Sequence, residues 1–278
     1  MAKQRSASTG HPTPGSSIWD DLINDPIMQS AEPPLPIKRG FFRTWLGVAN
    51  DYLLSMIAVN LLVALQVVVG VFAGLVLGAG FRTAPLTWIS VTILIAGVPG
   101  APAFGGLFAY MRSACDPDQR TTVRDYFQGM RRYARRSWLL FFAQTLLGLV
   151  LIVNLRFYGS LHMGLAAVPL TAVIALVLLL WAMAGFYVWP LMVRDLGWKL
   201  VARNALFLAL AAPFSTVGLL LLLAVLTGLL IASSVLWLLF LFALWALTEN
   251  VALQRLVRLF RERQGAPDDT DRTQGEVR

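Results

Sequence analysis

Apolar residues run along this chain in long blocks. They follow neither the two-residue alternation of a half-buried strand nor the one-sided 3.6 period of a soluble surface helix. Six blocks reach or approach the roughly 20 residues that cross a bilayer as a helix: 52–78, 86–110, 138–154, 163–192, 205–231 and 234–252. The pattern predicts an all-α, polytopic transmembrane helical bundle of about six spans. Residues 213–247 carry no charge. As one straight helix they would reach about 52 Å, against about 30 Å of hydrocarbon. They are therefore expected to form two spans turning near Ala232, Ser233 and Ser234. Either span five begins ahead of Pro213 and kinks there, or both spans are short.

Outside the spans the pattern changes. Residues 1–36 and 264–278 lack sustained apolar periodicity and are expected to be disordered tails around a membrane domain at 37–263. No apolar stretch follows Lys3 and Arg5, so the beginning is not read as a secretory signal. A short patch at Ile18–Ile23 reads as tail with incidental hydrophobes. Residues 37–50 mix Lys38, Arg39 and Arg43 with Phe41, Phe42, Trp45 and Leu46, which suits a helix in the headgroup plane. Asn50 or Asp51 is expected to cap span one.

Between spans two and three, Met111–Ser137 holds seven arginines. Thr122 and Asp125 match a capping box. Val123, Tyr126, Phe127, Met130 and Ala134 then recur at helical spacing, predicting an amphipathic helix on the inner leaflet that leads into span three. Its Arg124, Arg131, Arg132 and Arg135 are candidate contacts for anionic inner-leaflet lipids or a partner. Each would contribute about 1 kcal/mol against anionic lipid.

Inside the spans, Gly70, Gly74 and Gly78 line one helix face and predict close helix packing. Asn60 and Gln66 need hydrogen-bond partners within the bundle. Pro99, Gly100, Pro102, Gly105 and Gly106 interrupt span two, because proline removes a helix donor and clashes with the preceding turn. They are a candidate helix break or cavity lining.

Charge orients the bundle. Of 23 basic residues, only Arg82 and Arg156 fall in proposed outer loops, and the other 21 lie in proposed inner segments. The positive-inside rule then places both termini in the cytoplasm of a multi-pass plasma-membrane protein. Trp88 reads as an outer interface belt, and Trp45, Trp138, Trp189 and Trp198 as an inner one. The chain is 57% hydrophobic and 14% charged, where a soluble domain carries about a quarter charged residues. The net charge of +8 is explained by basic loops beside spans, so nucleic acid is not an expected partner.

The chemical inventory is short. His11 and His162 have no neighbours at metal-ligand spacing. No phosphate-binding glycine loop with lysine occurs. Cys115 is the single cysteine and can form no disulfide within the chain. No Asp, Glu, Lys or Arg falls in the middle of a predicted span. Asp51 and Glu249 fall at inner span ends, where capping or a salt bridge with a loop arginine is expected. No catalytic, cofactor-binding or metal-binding residue is assigned, and an enzyme is not expected.

Four stretches together resemble the YesL-like family of bacterial integral membrane proteins, a domain of unknown function. They are Asn50–Leu54 through Val59–Leu62, Gly97–Pro99 through Gly105–Tyr110, Asp125–Tyr133, and Tyr187–Leu191 followed by Arg203–Leu206. Pro102 stands where the family carries a threonine. The resemblance covers roughly residues 41–260. Members often accompany carbohydrate ABC-transporter genes. It therefore implies an accessory or regulatory partner of a carbohydrate uptake system, with ABC-transporter subunits as partners. The alternative is a small-molecule transporter or channel built on the broken span two.

Overall fold

A computed structural model describes residues 41–81, 85–116, 120–160, 167–233 and 236–263. The tails, Arg82, His162 and Ser234 lie outside the described residues. One compact unit covers Leu35–Phe260. The other joins Met1–Pro34 to Arg261–Arg278, and only its residues 261–263, the last turn of the final helix, are described.

Eight α-helices follow one another among the described residues: α1 Phe41–Asp51, α2 Leu53–Leu77, α3 Pro85–Ala114, α4 Val123–Ser160, α5 Ala167–Met192, α6 Trp198–Ala211, α7 Pro213–Ala232 and α8 Leu236–Arg263. Five are long and apolar enough to cross a membrane, namely α2 to α5 and, over Phe240–Leu259, α8. The pair α6 and α7 qualifies as a sixth span, bent by 96°. Large apolar side chains such as Leu54, Phe72, Leu146, Val173 and Leu221 stand exposed around the exterior. Water would not tolerate so broad an apolar surface on a soluble monomer. The chain is an integral membrane protein with a helical bundle.

Small residues bring α2, α3 and α4 together. A Cβ on Gly70 would stand 2.8 Å from the Ala96 backbone, one on Gly74 2.8 Å from the Thr92 backbone, and one on Gly78 2.8 Å from Trp88. The descending partner numbers make α2 and α3 antiparallel. On α3 the next face does the same against α4. Added Cβ atoms on Gly97, Gly105 and Gly106 would strike Phe141, Ser137 and the Tyr126 carbonyl.

Several expectations need correction. Span two is not broken, because α3 runs unbroken from Pro85 to Ala114 with Pro99 and Pro102 inside it. Pro102 has no N–H to give the carbonyl of Val98 four residues earlier. The Trp138 indole supplies that donor at 2.7 Å. Nor does the basic segment form a separate in-plane helix, since it is the first part of the 38-residue α4. The reason is burial: Tyr126, Gly129, Tyr133 and Ser137 are covered, and Gly106 and Ala109 of α3 press on Gly129. The side carrying Tyr126 and Tyr133 is thus covered by protein rather than lipid, while Phe127 stays exposed. At 1.5 Å per residue α4 is about 57 Å long, so it extends past a hydrocarbon core of about 30 Å.

At Pro213, where a kink or a shortened span is expected, α6 and α7 meet at 96°. Ala212 forms a non-helical corner with φ −136° and ψ 58°, and Pro213 opens α7, where its missing N–H is harmless. In α6, Val201, Asn204, Ala205, Leu208 and Ala209 are buried, while Trp198, Leu206 and Leu210 are exposed. Neither Asn50 nor Asp51 caps α2. Tyr52 takes the cap position without a side-chain capping bond, and backbone bonds Tyr52 N–H to Val48 O and Met56 N–H to Tyr52 O carry the ladder across the junction.

Candidate functional site

The intramembrane polar residues of α2 are all engaged. Asn60 accepts the Ala243 backbone N–H at 2.8 Å, Gln66 donates to the Tyr126 hydroxyl at 2.8 Å, and Ser55 bonds Tyr110 at 2.6 Å. These bonds tie α2 to α8, α4 and α3. They satisfy groups that lipid cannot.

Further along α4 lies a cavity of about 570 Å³. Its walls come from α3 (Phe104, Phe108), α4 (Phe141, Gln144, Gly148), α5 (Trp181, Gly185, Trp189) and α8 (Phe242, Trp245, Glu249), with Leu220 of α7. The α4 wall runs from Phe141 to Ile152, about 16 Å along the helix. Ile93, Ile152 and Trp245 belong to the lining and are each 39% exposed. The cavity therefore reaches the apolar exterior that faces lipid.

Wide indoles hold the helices apart here. Trp189 stacks on Phe108 at 5.8 Å between ring centroids and donates its indole N–H to Gln144 Oε1 at 3.1 Å. Trp181 packs against Gly148, and its own indole nitrogen is buried with no partner among the described residues. Trp189, expected in an interface belt, is instead a cavity wall.

Glu249 is the titratable group of the lining. It lies in α8, within the apolar stretch Phe240–Leu259 and six residues ahead of Arg255. It is 3% exposed. Its Oε1 accepts the Trp245 indole N–H at 2.5 Å, and its Oε2 is buried without a partner among the described residues. The expected salt bridge with a loop arginine does not form among the described residues.

Of the proposed break residues, Pro99, Gly100, Pro102, Gly105 and Gly106 do not line the cavity, although Phe104 between them does. Arg124, Arg131, Arg132 and Arg135 are exposed on the first part of α4. Arg132 is drawn into the fold, bonding Asp195 Oδ2 at 2.5 Å, with Arg136 at 3.5 Å from the other carboxylate oxygen. Asp195 holds a left-handed φ of 60° in the α5–α6 turn and also takes the Tyr133 hydroxyl at 3.0 Å. Cys115 is buried, and that burial pushes its thiol up to about 12, with Arg194 opposing the shift. It is a poor nucleophile. Among the described residues no group of three His, Cys, Asp or Glu gathers as for a metal.

Fold and cavity together define a polytopic helical membrane protein with a ligand-sized chamber in its membrane domain. Compared with known proteins, the chain matches no family model, no curated protein and no solved structure.

Proposed function

We propose that this protein binds a small amphipathic molecule, drawn from the bilayer, in the cavity between α3, α4, α5 and α8. The observation that carries this reading is the cavity itself. Its volume of about 570 Å³ falls within the roughly 300–1,000 Å³ of small-molecule sites, which are mostly apolar with a few placed polar groups. A free sugar suits it poorly, since most hydroxyls would lose water without gaining partners. The unbroken α3 also removes the support for a channel built on a helix break.

The test is binding of the neutral aromatic probe 1-aminoanthracene to protein in nanodiscs, with empty nanodiscs subtracted. Saturable fluorescence enhancement is expected, weakened at least tenfold by Ala182→Phe, which fills the chamber. Purely linear partitioning, or saturation unaffected by that substitution, would count against the reading. Counterflow in proteoliposomes then separates carriage from binding alone.

A second reading is the accessory role in carbohydrate uptake, resting on the YesL-like resemblance. The exposed Arg124, Arg131 and Arg135 on α4 favour a docking surface for a partner or for anionic lipid. Transporter subunits co-eluting in mild detergent would support it. Charge reversal of Arg131, Arg132 and Arg135 should weaken binding to anionic liposomes, and unchanged binding would exclude the lipid contact.

A further inference from the structure

The polar chemistry of the chamber narrows its ligand, an inference that rests on reading the cavity as a ligand site. A carboxylate buried within a membrane bundle is costly unless something compensates it. Glu249 receives a single neutral donor, the Trp245 indole, and one of its oxygens is buried and unpartnered among the described residues. Among the described residues no arginine or lysine pairs with Glu249, so none of them supplies a cation at this place.

The surroundings point the same way. Trp181, Trp189, Trp245, Phe104, Phe186 and Phe242 line the same chamber. The faces of such rings carry negative potential and attract cations, most strongly when water is excluded. A carboxylate enclosed by aromatic rings is complementary to a positive charge and repels a negative one. The opening beside Ile93 and Ile152, exposed on the apolar exterior, admits a molecule already dissolved in lipid.

We propose that the chamber takes lipophilic organic cations, with the Glu249 carboxylate as their charge partner and the aromatic walls as their cage. A neutral apolar guest would fill the volume and leave Glu249 uncompensated, whereas an anion would meet it with like charge. A lipid acyl chain, the other molecule at hand, has no group for the carboxylate.

The test uses tetraphenylphosphonium and tetraphenylborate, ions of one shape and opposite charge, on the full chain in nanodiscs with empty nanodiscs subtracted. Saturable tetraphenylphosphonium binding is expected, with tetraphenylborate at least tenfold weaker. Glu249→Gln keeps the size and an acceptor for Trp245. It should weaken tetraphenylphosphonium at least tenfold. Equal binding of the two ions, or an unchanged cation affinity in Glu249→Gln, overturns the proposal. Should that variant not fold, the contrast between the ions on the unaltered protein decides alone. Saturable 1-aminoanthracene binding without cation preference defeats this inference only. Loss of both defeats the ligand site as well.

Discussion

Along α4, the stretch 126–137 meets α3 through glycines and the stretch 141–152 borders a chamber walled by the tryptophans of α5. On the first, Gly105, Gly106 and Gly129 bring the helices so close that no Cβ fits, and even the carbonyl orphaned by Pro102 finds the Trp138 indole. On the second, Trp181 and Trp189 stand in the wall, a chamber remains, and two buried polar atoms, Glu249 Oε2 and Trp181 Nε1, lack partners among the described residues. Membrane helices gain little from hydrophobic burial and associate largely through packing and interhelical hydrogen bonds. The glycine seam uses both fully. The tryptophan stretch gives up contact, which costs stability and opens space for a guest.

The strongest way to break this comparison is to add bulk in each stretch. Gly106→Val drives a side chain at the Tyr126 carbonyl, 2.7 Å from an added Cβ, and backbone cannot step aside. It should destabilise the bundle by about 3 kcal/mol, read by denaturant titration in mixed micelles. Gly185→Ala, whose Cβ meets only the Gln144 side chain at 3.0 Å, should stay within about 0.5 kcal/mol. Equal losses would erase the distinction.

Next in size is the loss of the surrogate donor. Trp138→Phe leaves the Val98 carbonyl unpaired and should cost about 2 kcal/mol. Pro102→Ala restores the helix's own N–H to that carbonyl. The Trp138→Phe penalty should shrink by more than half in that background, and additive penalties would contradict the account.

Filling the chamber should do the reverse of filling the seam. Without ligand, Ala182→Phe is expected to stabilise by about 1 kcal/mol, measured by the same titration. A loss as large as that of Gly106→Val would mean the chamber is not open in the bilayer. The smallest effect concerns the α5–α6 turn. Asp195→Asn tolerates the left-handed backbone but gives up two exposed arginine pairs. It should cost about 0.5 kcal/mol or less, and high salt should abolish the difference.

The membrane class and the packing of α2 on α3 were legible in the sequence because each depends on spacing within one helix, whereas Gly105 and Gly106 read as a break and serve as packing. Hydropathy marks the spans, and Gly70, Gly74 and Gly78 share a face at any helix position. The paired capping at Thr122 was legible for the same reason, and Asp125 does take the Thr122 N–H at 2.7 Å. The chamber was not, because it exists only in the relation of helices distant in sequence. Trp189 reads as an interface anchor until α4 places Gln144 beside it. Glu249 reads as a group beside loop arginines until α3, α4 and α5 close the chamber around it. The supposed break at Pro99 and Pro102 misled because the compensating donor lies 36 residues beyond Pro102, at Trp138.

The central claim, a guest in the membrane chamber beside Glu249, is tested most directly by anomalous diffraction from protein soaked with 4-bromobenzyltrimethylammonium. The bromine peak should fall between α4, α5 and α8, among Gln144, Trp181 and Trp245. A peak confined to the outer apolar surface, or none at saturating ligand, would contradict it.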